Sequence, residues 1–139
     1  MLMKSLNPYL AFAGNCEEAL DFYKDCLGGD ITMKMTFGQS PMPVDDSHKD
    51  KIMHAEFKAG DVQFMASDGM PGFQVNPGNN VTMSLNFSDQ NEQESTFNNL
   101  ANGGNVTMPL QDTFWGAKFG MLTDKYGINW MFNCQSSEQ

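Results

Sequence analysis

A histidine and a carboxylate two positions apart, His54 and Glu56 in KIMHAEFKAGD, form the sharpest chemical pair in the chain. On an extended strand, residues i and i+2 point to the same side. The imidazole and carboxylate then serve either as base and orienting partner in a proton transfer or as two ligands of a divalent metal. Gln63, on the stretch that follows, would be a weak third ligand. The plainer reading is a histidine hydrogen-bonded inside the fold with Glu56 partly solvated, and the sequence favours it, because no clear nucleophile or third acid accompanies the pair. His54 and Glu56 are nonetheless the candidate catalytic residues. Cys16, Cys26 and Cys134 are an odd number with no C-x-x-C spacing, which reads as free thiols in a reducing compartment.

The elements that must position these groups follow from periodicity. Residues 7–12 alternate as a strand, and CEEALDFYKDCLGG reads as a helix with Asn15 as cap, Glu17 and Glu18 in its first turn and Gly28-Gly29 as its stop. ITMKMTF is a strand. The segment SPMPVDDSHKD after it reads as a long, polar, mobile loop in which His48 is solvated. KIMHAEFKAGDVQFMASD is a hairpin turning at Ala59-Gly60-Asp61, with Asp68 as a turn cap at its end. GMPGFQVNPGNN separates this β-α-β-β-β run from a second one: strand VTMSLNF, a helix capped by Asp89, Gly103-Gly104, strand NVTMPL, the turn QDTFWGAK, and a hairpin turning at residues 124–127. Residues from Ser136 onward are a polar tail.

The two runs repeat each other. Leu10, Phe12, Glu17, Phe22, Gly28, Gly29, Thr32 and Met33 recur 75 positions later as Leu85, Phe87, Glu92, Phe97, Gly103, Gly104, Thr107 and Met108, with no gap. Chance supplies roughly one or two such identities, so the chain is a duplicated module. Each module is too small to be secure alone, which predicts a shared core or a homodimer.

The 139 residues carry a net charge of −9 with only eight Lys and Arg, which argues against nucleic-acid or anionic-membrane partners and leaves neutral or cationic small ligands open. Twelve methionines suit an adaptable core or pocket. No signal peptide or membrane-length segment is read, which predicts a cytoplasmic protein. Both double glycines end helices, so they are C-caps and not phosphate cradles, and nothing supports a nucleotide-type fold for S-adenosylmethionine.

KIMHAEFKAGD, FMASD, GGNVTMPLQDTFWG and DKYGINWMFN together resemble the vicinal oxygen chelate superfamily of glyoxalase I, extradiol dioxygenases and bleomycin-binding proteins, and within it the PhnB-like, demethylubiquinone-methyltransferase-like branch. The resemblance implies an α+β chain with a glyoxalase-like fold: one domain of two tandem βαβββ modules, about residues 5–70 and 79–134, whose mixed sheets curve into a cup. It also implies metal ligands on the first and last strands of each module. Here those positions hold Asn7 or Pro8, Met65 or its neighbour, Thr82 or Met83, and Met131, none a usual ligand, so no metal and no cofactor are expected. Strand parity fills the cup with Asn7, Tyr9, His54, Glu56, Gln63, Met65, Thr82, Ser84, Asn86, Asn129, Met131 and Asn133. Tyr9, Gln63, Met65, Thr82, Ser84, Trp115 and Met131 are the expected ligand-binding residues. Phe114-Trp115 reads equally as a ligand-stacking lid or a core plug. The functional expectation is a small-molecule-binding protein of the glyoxalase/bleomycin-resistance type. The alternative is a metal-dependent lyase, isomerase or dioxygenase with a relocated His54/Glu56 site.

Overall fold

The computed structural model describes residues 5–135; the polar tail lies outside them. The chain divides into two compact units, Met1–Val75 and Asn76–Gln139. Unit 1 contains β1 (Tyr9–Ala11), α1 (Cys16–Leu27), β2 (Asp30–Thr36), β3 (Ile52–Ala59) and β4 (Val62–Ser67). Unit 2 contains β5 (Met83–Phe87), α2 (Gln90–Ala101), β6 (Asn105–Asp112), β7 (Ala117–Thr123) and β8 (Asn129–Gln135). Each is a βαβββ module with a four-stranded mixed sheet, in the order β1-β4-β3-β2 and β5-β8-β7-β6. In both, the first strand pairs parallel with the last and the remaining pairings are antiparallel. The chain is therefore α+β, as the alternation and the repeat predict.

Each helix covers one face of its own sheet. In unit 1, Ala19, Leu20 and Tyr23 of α1 are fully buried with Phe57 and Phe64, whose rings stack at 4.8 Å beneath the edge of Tyr23. In unit 2, Phe97 of α2 meets Phe132 edge-on at 4.9 Å, beside the fully buried Trp130. The residues of opposite parity are left on the uncovered face of each sheet.

A buried carboxylate organises each unit. Asp68, 4% exposed, follows β4 and accepts the backbone N–H groups of Gly14 (2.9 Å), Cys16 (2.9 Å) and Ile52 (2.8 Å). It thus caps α1 from a distance, where its charge also complements the helix N-terminus. Asn15 occupies the N-cap position, but its side chain makes no capping bond; the Cys16 amide goes to Asp68. In unit 2, Asp124 accepts Tyr126 N–H, Ile128 N–H and the Trp130 indole N–H. Asp89 caps α2 locally, through Asn91 N–H.

The double glycines do two jobs. Gly28 takes a left-handed φ of 71° and caps α1, whereas α2 already ends at the extended Asn102, so Gly103, with φ 78°, turns the chain just after that helix and is not its C-cap. The second glycine of each pair sits so close to the end of the neighbouring strand that a Cβ on Gly29 would overlap Lys58 O and Ala59, and one on Gly104 would overlap Thr123 O and Asp124.

The charged segment after β2 is folded back on itself. Phe37 N–H and Gly38 N–H donate to Lys51 O and Lys49 O, and His48 packs on the buried Phe37 ring at 4.6 Å with Nε2 3.1 Å from Gly69 O. His48 is thus half-buried and bonded, not solvated; the aromatic neighbour outweighs the charged sequence around it.

Removing the Asp68 carboxylate leaves three backbone N–H groups without their acceptor. Asp68→Ala is expected to destabilise the chain by about 3 kcal/mol or more, measured by urea denaturation. A loss under about 1 kcal/mol would show that water replaces the carboxylate.

Candidate functional site

The uncovered face of unit 1 gathers the residues that the sequence singles out there. β1 and β4 place Tyr9 opposite Met65, β3 and β4 place Met65 opposite Glu56, and β2 and β3 place Glu56 opposite Met33. Met35 lies opposite His54. Lys34, between the two methionines, pairs with Glu17 of α1 on the other side of the sheet. Gln63, opposite Lys58, is exposed further along β4.

Three of these side chains are joined by hydrogen bonds. The Tyr9 hydroxyl lies 2.8 Å from His54 Nδ1, and His54 Nε2 lies 3.1 Å from Glu56 Oε2. The imidazole is 26% exposed and the carboxylate 45%, while the Tyr9 ring is half exposed. Withdrawal of the phenol from water pushes Tyr9 above its ordinary pKa, against a hydrogen bond with Ser67 that pulls the other way. Ser67 Oγ itself accepts Gly69 N–H at 2.8 Å, which directs its own proton away from that amide. The sequence named Tyr9 as a ligand contact and missed it as the partner of His54; Ser67, Met33 and Met35 were missed altogether. The period-2 pattern of ITMKMTF marks both methionines as same-face residues, but nothing in it says which face is left uncovered.

Unit 2 presents the corresponding face with different chemistry. Ser84 lies opposite Met131, Met131 opposite Met121, and Met121 opposite Met108, so Tyr9-Met65-Glu56-Met33 becomes Ser84-Met131-Met121-Met108. Phe119, two residues before Met121, stands where His54 precedes Glu56. Thr82 is half-buried just before β5. Trp115 lies in the β6–β7 turn with its ring 6.0 Å from Phe119; it is 50% exposed and Phe114 98% exposed, so neither is a core plug. A concavity of about 690 Å³ in this unit opens beside the start of α2, among Asp89, Asp112 and Lys118, and none of the predicted site residues lines it.

The metal that the superfamily implies does not fit these residues. The inherited positions carry Asn7 or Pro8 beside the thioethers and hydroxyl of Met65, Thr82 or Met83, and Met131, and both His54 nitrogens are engaged within the chain. Among the described residues, no three His, Cys, Asp or Glu side chains come together as a metal site. A methyl-donor nucleotide does not fit the double glycines either, since both pairs come at or just after the end of a helix. The amide at the start of α1 is occupied by Asp68. All three cysteines are buried. Burial, followed by the charges of Asp68 and Glu17, pushes the Cys16 thiol far above its ordinary pKa, which removes it as a nucleophile.

The family described as 3-demethylubiquinone-9 3-methyltransferase matches residues 4–132. The chain is similar to protein PA1353 from Pseudomonas aeruginosa, with 45% identity and a TM-score of 0.88 over 97% of this chain and 100% of that one. It is also similar to a putative 3-demethylubiquinone-9 3-methyltransferase, PhnB protein, from Bacillus cereus, with 26% identity and a TM-score of 0.76 over 94% and 99% of the two chains. A glyoxylase/bleomycin resistance protein/dioxygenase domain from Frankia shares the fold at 13% identity, with a TM-score of 0.66 over 100% and 96%. No helix among the described residues is long and apolar enough to cross a membrane.

The raised Cys16 pKa has a consequence for stability. The folded state keeps the thiol protonated while the unfolded state releases its proton above about pH 8.5, so unfolding is favoured as pH rises through that value. The unfolding free energy should hold through neutral pH and then fall, with Cys16 contributing up to about 1.4 kcal/mol per pH unit. Urea denaturation of wild type and Cys16→Ala at pH 7 and pH 10 checks this; an equal alkaline loss in both would assign it to other groups.

Proposed function

Since this chain belongs to the family described as 3-demethylubiquinone-9 3-methyltransferase, the PhnB-like branch of the vicinal oxygen chelate superfamily, we propose that it is a small-molecule-binding protein that works without the superfamily metal. The observation that carries this reading is the hydrogen-bonded row Tyr9-His54-Glu56 set among Met33, Met35 and Met65 on the uncovered face of unit 1. Polar groups held in fixed directions give orientation, and thioethers around them give an apolar surface that adapts to the shape of a ring. The net charge of −9 suits a neutral or cationic ligand. Tyr9, Gln63 and Met65 would contact it on unit 1. Thr82, Ser84, Met131 and Trp115 form a second, less polar face on unit 2.

A ligand at 100 times its dissociation constant stabilises the folded state by about 2.7 kcal/mol. In a thermal-shift panel of neutral and cationic aromatic compounds, at least one should raise the melting temperature by several degrees, equally with and without EDTA, and Met65→Glu should abolish the shift. A panel in which nothing moves the transition counts against binding. A stoichiometric divalent ion that is lost in His54→Ala would instead establish the metal-dependent alternative.

Homodimerisation belongs to the same proposal. Each module is of a size that is marginal alone and leaves one sheet face without a helix. Light scattering at micromolar concentration should give twice the 15.5 kDa chain mass; a monomer mass would overturn it.

A further inference from the structure

We propose that Tyr9, His54, Glu56 and Ser67 form a nucleophilic relay, in which the Tyr9 phenol oxygen, with His54 as its base, attacks small electrophilic acyl compounds such as activated esters. The inference deepens the reading of the unit 1 face as a ligand site and rests on that face being accessible.

The direction of the relay follows from its charges. If His54 carried its proton on Nδ1, the bare lone pair of Nε2 would face the Glu56 carboxylate at 3.1 Å, two acceptors in opposition. With the proton on Nε2, His54 donates to Glu56, and its Nδ1 lone pair points at the Tyr9 hydroxyl 2.8 Å away. Glu56 therefore fixes the tautomer that makes the imidazole a base toward Tyr9, the role a carboxylate plays in hydrolytic triads. Tyr9 needs such a base, because burial raises its pKa and leaves almost none of it ionised at neutral pH. Ser67 favours the ionised form of the phenol. The Tyr9 ring is half exposed on this face, and the relay requires that its oxygen be reached from the same side.

The step balances without a co-reactant. The Tyr9 oxygen forms a bond to the acyl carbon, the bond from that carbon to the aryl oxygen breaks, and the aryloxide leaves with the electron pair. The phenol proton passes to His54 Nδ1, where Glu56 stabilises the imidazolium, and from there to the aryloxide. The product is an acyl-Tyr9 ester. Water attacks that ester with His54 again as base, releasing the acid and restoring the phenol. Unit 2 is an internal contrast: the equivalent positions are Ser84, Phe119 and Met121, which contain no base.

The test uses the full chain and p-nitrophenyl acetate at neutral pH. The expected result is rapid release of p-nitrophenolate with an acetyl group on the Tyr9 peptide, while the fully buried Tyr23 and the half-buried Tyr126 stay unmodified. Tyr9→Phe should abolish the reaction, and His54→Gln should slow it about 100-fold. Glu56→Gln should also slow it; its exposed side chain keeps this variant informative if His54→Gln does not fold. Because Glu56 acts through His54, nitrogen-15 spectra of the imidazole provide a separate readout, with the Nε2–H tautomer in wild type and a mixture in Glu56→Ala. Acetylation of Tyr9 at an unchanged rate in His54→Gln, or an Nδ1–H tautomer in wild type, would overturn the relay. p-Nitrophenyl acetate requires no shaped pocket. A chain that leaves Tyr9 unacetylated and releases p-nitrophenolate no faster than Tyr9→Phe, while aromatic ligands still shift the melting temperature, therefore defeats the relay and leaves the binding proposal standing.

Discussion

A single buried carboxylate sets the geometry of the sheet face that carries Tyr9, His54 and Glu56. Asp68 takes the first amide of α1 and the first amide of β3, while the residue before it, Ser67, accepts Phe12 N–H with its backbone carbonyl. One short segment after β4 therefore fixes three things at once: where the helix begins, where β3 begins, and how β1 lies along β4. His54 stands two residues after the anchored Ile52, and Tyr9 stands three before the anchored Phe12. The 2.8 Å approach of Tyr9 to His54 joins two strands that are not neighbours in the sheet, with β4 between them. Only a fixed register on both sides of β4 brings those groups together. A charged group this buried is costly unless its hydrogen bonds are satisfied, and three backbone donors meet that condition.

Unit 2 reaches the same fold with its carboxylate elsewhere. Asp124 sits in the β7–β8 turn and binds the turn amides and the Trp130 indole, so it fixes the hairpin and the core ring, not the start of the helix. Helix α2 has a local cap in Asp89 and does not need a distant one. What the 75-residue repeat preserves is what backbone geometry demands: a left-handed glycine at or just after the end of each helix, then a glycine whose missing Cβ lets the chain pass the end of the hairpin. A side chain at the second glycine would displace backbone, so that position tolerates little else. The sheet-face residues are under no such constraint, and they differ.

Much of this was legible in the sequence because it depends on local periodicity. The alternation in β4, β5 and β8 separates Phe64, Leu85, Trp130 and Phe132, buried under the helices, from Met65, Ser84, Met131 and Asn133 on the other side. The stop of α1 follows from Gly28, while α2 ends one residue before its glycine pair, at Asn102; the Asp89 cap follows from its place before a polar helix. The failures involve contacts across long sequence distances. Asn15 looks like a cap, but the acceptor comes from 52 residues away. His48 looks solvated among charges, but Phe37 and the Gly69 carbonyl hold it. The link from Tyr9 to His54 spans 45 residues and depends on a parallel register that no local pattern specifies. His54 and Glu56 were visible as a pair; the oxygen that gives them something to act on was not.

The contrast between the two faces bears on where chemistry can reside. Both rows contain methionines at equivalent places: Met33 and Met65 in unit 1, Met108 and Met131 in unit 2. Thioethers accommodate many shapes and discriminate poorly, so the apolar part of each face gives affinity without direction. Direction comes from groups whose hydrogen bonds are already committed, because a side chain held by its neighbours does not have to be ordered when a ligand arrives. In unit 1 the side chains committed in this way are Tyr9, His54 and Glu56, each held by the next. In unit 2 the same places hold Ser84, Phe119 and Met121, and Phe119 is packed against Trp115 instead. A molecule resting on unit 2 meets an aromatic and thioether surface with amides at its edge. One resting on unit 1 meets a line of fixed donors and acceptors that includes a base. Duplication supplied two equivalent surfaces, and among the described residues the hydrogen-bonded tyrosine, histidine and carboxylate lie on that of unit 1.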